Sequence, residues 1–198
     1  RTALVQFPTL EDAGSSVHAV LTRGLVPAAM ELLDETAIEC IEEAMNLGLP
    51  LDVEAIMVIE ADGADKQSVE REIDAIADIC LESGASRVDV ARTEKERADL
   101  WRARRSVSPS LARKAPNKLG EDITVPRSEI PEAIRRIKEI SQRYGLPIVV
   151  FGHAGDGNLH PNILFDRRIP EQWEKIEKIV RSEEHRVGKE CATGCRSR

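Results

Sequence analysis

No run in the sequence approaches the roughly 20 consecutive apolar residues that a membrane-spanning helix needs. No G-x-G-x-x-G follows the first strand-like run, and no G-x-x-x-x-G-K-[ST] occurs at all, so a nicotinamide-type Rossmann domain and a P-loop are poor readings. An excess of basic residues is missing too. Lys and Arg number 28 against 35 Asp and Glu, for a net charge of −7, which argues against nucleic acid or an anionic membrane surface as the main partner. The chain opens without a secretory apolar stretch. Its four cysteines form no framework. Cys40 and Cys80 stand singly inside helical patterns, where a small buried hydrophobe is the simple reading. A reducing, cytoplasmic compartment is the expectation.

At 198 residues, 41% hydrophobic and 32% charged, the chain can bury a full core without disulfide staples. Apolar runs and helical patterns alternate along it. Strands are expected over 3–7, 28–33, 55–60, 88–91, 123–125, 148–151 and 159–165. Helices are expected over 10–21, from Asp34 to Asn46, from Asp65 to Gly84, from Thr93 through Leu111, over about 128–144 and over 170–180. Asp34 and Asp65 stand where a side chain can cap a following helix, and Thr93 with Glu96 forms a T-x-x-E capping box. Val69, Ile73, Ile76 and Cys80 fall at i, i+4, i+7 and i+11, which is one buried helical face. The strands are short and mixed in pattern, unlike the long Val/Ile runs of a wholly parallel sheet. The expected class is therefore α+β, with ferredoxin-like repeats and a largely antiparallel sheet whose helices pack on one face. A strand-like run begins at Ala3, so the chain is expected to be part of a longer protein.

The most informative segment is Gly152-His153-Ala154-Gly155-Asp156-Gly157-Asn158-Leu159-His160-Pro161-Asn162. Asp-Gly is a favoured pair for a two-residue type I′ turn. Placed at the tip, it pairs Gly155 with Asn158, Ala154 with Leu159 and His153 with His160. Directly opposed side chains share a face, with Cβ atoms about 4.5–5.5 Å apart, so two imidazoles in this register could chelate a divalent metal. Asn158 and Asn162 share the His160 face by period-two alternation. The plainer reading is a hairpin whose histidines are ordinary satisfied side chains. Both histidines of this segment fall in one Gly-rich turn with two asparagines on the same side, and that favours a site.

Upstream, Trp101, Arg104 and Ser108 lie at i, i+3 and i+7 on one helical face beside Leu100, Val107 and Leu111. An arginine bordering a buried stripe needs an anionic partner, and a carboxylate suits its planar fork. The alternative is an arginine that extends to water from a core helix. Pro109 is expected to kink that helix.

Together these residues resemble the C-terminal domain of FAD-linked oxidases. The likeness rests on G-H-A-G-D-G-N-L-H-P-N, on Leu100-Trp-Arg-Ala-Arg-Arg-Ser106, and on Gly120-Glu-Asp-Ile-Thr-Val-Pro126, in that family's order, and it spans about residues 1–180. The resemblance implies oxidation of a small 2-hydroxy acid, of the glycolate or D-lactate type, by hydride transfer to FAD. The flavin is held mainly by an upstream domain, and this domain closes over it. His153 and His160 are implied as ligands of a divalent metal, zinc by expectation. Arg104 is implied for the substrate carboxylate, Ser108 and Asn162 for further substrate contacts, and Asn158 for the cofactor side. Some members carry a lysine where this chain has Gly120, and Lys118 is the nearest substitute. An iron–sulfur or other electron-transfer subunit is the implied partner, in a cytoplasmic complex that can sit peripherally on the inner membrane.

From Arg181 the family pattern stops. Residues 181–198 are polar, charged and unpatterned, and are expected to be a non-native, disordered tail. Within it, Glu184-His185 as a remnant of an E-H-G stretch, and Cys191 with Cys195 as a zinc site, are weaker readings. Two rival functions stand beside the oxidoreductase. One is a non-catalytic ferredoxin-like metal-binding or regulatory domain. The other is a metal-dependent hydrolase using the histidine pair, which lacks a nearby acidic cluster in the sequence.

Overall fold

A computed structural model describes residues 1–182. Its elements run β1 (Thr2–Phe7), α1 (Leu10–Thr22), β2 (Ala29–Asp34), α2 (Glu35–Met45), β3 (Ala55–Glu60), α3 (Lys66–Glu82), β4 (Arg87–Val90) and α4 (Glu94–Lys114). They continue with β5 (Asn117–Gly120), β6 (Ile123–Thr124), a 3-10 turn (Arg127–Glu129), α5 (Ile130–Tyr144), β7 (Ile148–His153), β8 (Asn158–Phe165) and α6 (Pro170–Ser182). The caps read from sequence are in place. Asp34 accepts from the Ala37 amide and Asp65 from the Ser68 amide, both at 2.8 Å. Thr93 and Glu96 close a reciprocal capping box at the start of α4. Each satisfies amides that a helix start leaves without partners. The proposed tail lies outside the described residues from 183 onward.

All strand pairs are antiparallel, in the order β4-β1-β3-β2-β7-β8-β5, with β6 also on β8. The first four strands, with α1 and α3, form a split βαβ unit of the ferredoxin-like kind. Helix α2 is inserted between β2 and β3. Strands β5, β7 and β8 with α5 repeat three strands of that unit, and β2 pairing with β7 joins the two into one sheet. The α+β class with a largely antiparallel sheet is the one expected.

One feature of the expected fold is corrected: helices cover both faces of the sheet. Val17 of α1, Ile73 of α3, Ile134 of α5 and Ile179 of α6 share one apolar cluster with Val5, Met57 and Ile163. Ile38 and Ile41 of α2 and Val107 and Leu111 of α4 share a second, with Leu33, Val58, Val149 and Leu164. The physical reason is visible in β3, Ala-Ile-Met-Val-Ile, whose first five residues are all buried. A strand with no polar alternation has no face to give to water, and it needs a layer on each side. Among the described residues no helix is long and apolar enough to cross a membrane.

Candidate active site

Helix α4 crosses the second face of the sheet, and its polar side chains reach a different strand at each turn. Arg97 and Trp101 donate to Glu60 at the end of β3. One turn on, Arg104 Nε donates to Glu31 Oε2 of β2 at 2.8 Å. A further turn on, Ser108 Oγ accepts from Lys118 Nζ of β5 at 2.8 Å. Burial works against the Glu60 carboxylate, but hydrogen bonds from Arg97, Trp101 and Thr2 outweigh it and hold its pKa below the ordinary value. The face predicted from Trp101, Arg104 and Ser108 is therefore the one α4 turns to the sheet. The helix runs unbroken through Pro109.

The sheet presents the remaining residues to the same side. In β7 and β8, Phe151, His153, Asn158, His160 and Asn162 alternate onto the face of the α2–α4 cluster, in step with Val149 and Leu164. Lys118 and Gly120 join them from β5, opposite Leu164 and Asn162. The site residues expected within 104–162 thus lie on one face. The two imidazoles meet edge to face, with ring centroids 5.2 Å apart. Phe151 lies beside both elements of the site, its ring 4.8 Å from the Arg104 guanidinium carbon and 5.5 Å from the His160 ring.

The hairpin register differs from the one expected. His153 pairs with Asn158, and Phe151 with His160. The tip is a four-residue loop, Ala154 to Gly157, and the histidines are diagonal neighbours rather than directly opposed. Contacts outside the hairpin decide this. The Ala154 amide donates to Met30 of β2 at 2.8 Å, which pulls the chain away from β8 one residue early. Gly157 sits at φ +79° with its own carbonyl accepting from Val125. A Cβ there would lie 2.0 Å from the Val125 oxygen, so only glycine fits the loop as built. Diagonal neighbours on one face remain within reach of each other.

Each imidazole rests on a carboxylate. His153 Nδ1 is 2.6 Å from Glu31 Oε1, and His160 Nδ1 pairs with Asp122. This arrangement leaves Nε2 of each ring uncommitted, as carboxylates do behind metal-binding histidines. Among the described residues, however, no group of three or more His, Cys, Asp or Glu side chains is arranged to hold a metal ion. Among those residues the expected pair stands without a third ligand. Asn162 is buried and donates to the His160 carbonyl at 2.9 Å. The Asn158 side-chain oxygen is buried with no hydrogen-bond partner. Gly120 is explained by Asn162, whose Oδ1 a Cβ at that place would approach to 2.9 Å. Lys118 lies two residues along the same strand face. Beside His153 and Glu31 a cleft of about 460 Å³ opens, lined also by Pro27, Met30, Arg127 and Asp156.

Reasoning from sequence missed Glu31, Asp122 and Phe151. Glu31 carried a signal, a charge in the middle of the apolar run of β2, where an acid is stable only with partners. Asp122 and Phe151 carried none beyond proximity to motif residues.

The family model for FAD linked oxidases, C-terminal domain, matches residues 1–190. The chain belongs to that family. It is 38% identical over 178 residues to the glycolate oxidase subunit GlcD of Bacillus subtilis, covering 90% of this chain and 38% of that protein. The corresponding subunit of Escherichia coli K12 is 35% identical over 179 residues, with 90% and 36% covered. The D-lactate dehydrogenase of Archaeoglobus fulgidus is 31% identical over 172 residues, with 86% and 36% covered. The chain of this FAD-linked oxidase domain therefore spans under two fifths of these relatives. Among solved structures, p-cresol methylhydroxylase with substrate bound superposes with a TM-score of 0.67 at 12% identity, covering 89% of this chain and 41% of that one. 4-Ethylphenol oxidase from Gulosibacter chungangensis gives 0.64 at 16%, with 91% and 43% covered. At such identities these two show a shared fold.

Proposed function

We propose that this chain is the substrate-side domain of a flavin-dependent oxidoreductase that converts a small 2-hydroxy acid, of the glycolate or D-lactate kind, to the 2-oxo acid. The observation that carries the reading is the state of Arg104. Its Nε is committed to Glu31, while Nη1 and Nη2 have no partner among the described residues. That leaves the two-pronged edge of the fork to a carboxylate, a match an ammonium cannot make. The guanidinium lies over the Phe151 ring and beside the two histidines, so a carboxylate held there brings an adjacent hydroxyl toward the imidazoles. Lys118 and Ser108 add a second cation and a hydroxyl one turn further along α4.

Bound FAD supplies the hydride acceptor, and in this proposal a domain outside the chain holds most of it. Asn158 is the residue of this chain proposed for the cofactor side. His153 and His160 fit as two ligands of a divalent metal, zinc by our reading, and such an ion lowers the pKa of a bound hydroxyl. This chain's own residues bind and orient the acid: Arg104 its carboxylate, Asn162 and the histidine pair its hydroxyl side. Two relatives are named as subunits, so an electron-transfer partner, iron–sulfur or other, is part of the proposal. Alone, the 198-residue chain is expected to be inactive. A purely regulatory ferredoxin-like domain leaves the unfilled Arg104 fork without a purpose.

The test is flavin reduction by glycolate and by D-lactate in the intact protein, comparing Arg104→Lys with Arg102→Lys. Loss of a charge-assisted bidentate contact predicts a fall of about 30- to 150-fold in kcat/KM for Arg104→Lys, with flavin content unchanged. Arg102 is exposed, and its replacement is expected to change little. Equal small effects at both positions sink the assignment of Arg104.

A further inference from the structure

Glu31 is assigned by no motif, yet it touches both halves of the proposed site. It lies directly opposite His153 in the pairing of β2 with β7. It is only 7% exposed. One carboxylate oxygen accepts from Arg104 Nε at 2.8 Å and the other is 2.6 Å from His153 Nδ1. A buried carboxylate with both oxygens engaged is held in a single rotamer by two partners from two different elements. It also sets what those partners can do. An Nε committed to Glu31 leaves the Nη edge of Arg104 as the part of the fork open to a ligand. An Nδ1–H donated to a carboxylate fixes His153 as the tautomer whose free lone pair is on Nε2.

Asp122 makes a similar contact with His160, but its side chain is 77% exposed, and water competes for it. The two carboxylates are therefore not equivalent. Glu31 is the one whose geometry the fold enforces.

We infer that Glu31 is a positioning residue that couples the carboxylate-holding arginine to the first histidine, an inference that rests on the functional reading above. One buried side chain orients the group that binds the acid and the group that meets its hydroxyl, so the two are set at a fixed distance from each other. Glu31→Gln cannot serve both partners while His153 keeps this tautomer. If its amide oxygen accepts from Arg104, its NH2 faces His153 as a donor, and the ring can answer it only with a bare Nδ1.

The direct measurement is the ring ¹⁵N shifts of His153 in the 198-residue chain, recorded over a pH series up to the range where the ring carries a single proton. The expected result in the wild-type protein is Nδ1 protonated and Nε2 bare, with a move toward the other tautomer in Glu31→Gln and no move in Asp122→Asn. In the intact protein Glu31→Gln is expected to raise KM about tenfold or more while flavin content stays normal, and zinc affinity is expected to fall about 10- to 100-fold, as for other carboxylates behind a ligand histidine. Wild-type His153 found as the Nε2–H tautomer overturns the inference without any variant, which covers the case of a Glu31→Gln protein that does not fold. Ring shifts unchanged in a folded Glu31→Gln overturn it equally. A tautomer that does depend on Glu31, together with zinc binding that is the same in wild type and His153→Ala, upholds the positioning role and removes the metal from the proposed function.

Discussion

The Lys118 ammonium donates to the Ser108 hydroxyl at 2.8 Å and so ties β5, the last strand of the sheet among the described residues, to the helix that carries Arg104. Both groups are exposed. An exposed contact of this kind contributes little to stability, about 1 kcal/mol at most, so its value is in where it holds the charge.

Replacing Lys118 with Met is accordingly expected to leave the melting temperature nearly unchanged. In the intact protein it is expected to raise the KM for a 2-hydroxy acid by about 10- to 100-fold, the range for one charge-assisted hydrogen bond. Ser108→Ala is expected to act in the same direction and more weakly, since the lysine keeps its charge. Steady-state kinetics of the two variants decide the point. A KM untouched by either would make the pair a surface tie with no part in binding.

Asp34 predicts a pH dependence of stability. It is fully buried at the start of α2, and desolvation raises its pKa from 3.8 to about 7, against the hydrogen bond from Ala37 and the charge of Lys138. Its folded pKa is above its unfolded one. Between about pH 4 and pH 7 the folded protein therefore binds more protons at this site, and stability falls as pH rises through that window and then levels off. In Asp34→Asn the amide oxygen keeps the cap, and the side chain cannot ionise. Urea unfolding from pH 5 to pH 8 should show a downward slope in the wild type that is smaller in Asp34→Asn. Identical slopes would mean that Asp34 ionises as it does in the unfolded chain. Asp166, held down to about 2 by its hydrogen bonds with Arg168, titrates below this window and does not blur the comparison.

Gly157→Ala is expected to destabilise by about 2 kcal/mol or more, because a left-handed backbone alone costs an L residue roughly 1–2 kcal/mol and the added carbon meets the Val125 carbonyl. Gly155→Ala is the matched control. A Cβ there meets nothing nearer than the Met30 Cβ at 3.8 Å, and the change is expected to stay within about 0.5 kcal/mol. Thermal unfolding of both variants is the check, and equal losses would contradict the loop geometry.

Local chemistry made much of this fold legible. Asp34, Asp65, Thr93 and Glu96 announced helix starts with short-range signals that need no tertiary partner, and the strand over 55–60 was readable to the residue. Two things were not. Strand β5 has no apolar run, and it is a strand because Lys118 and Leu119 find pairing partners in β8. The hairpin register was set by Met30 and Val125, which lie far from it in sequence, so a turn preference at Asp156-Gly157 lost to contacts it could not sense. The same holds for the site. His153, His160 and Arg104 stood out by residue type and spacing. Glu31 could be recognised only when β2 was seen beside β7, because an acid in a strand declares its purpose through its neighbours.

The pairing of β2 with β7 is only three residues long, Glu31 with His153, Leu32 with Gly152 and Leu33 with Phe151. Glu31 belongs to the first ferredoxin-like unit and His153 to the second. The second unit carries both imidazoles and the His160–Asp122 pair, but without the first unit His153 has no Glu31 behind it. A slip of a single residue along this short seam turns His153 to the far side of the sheet and sets Gly152 in its place. Reactive geometry in this protein is thus a product of assembly, gained in one step when two halves of a single chain meet along one edge in one alignment.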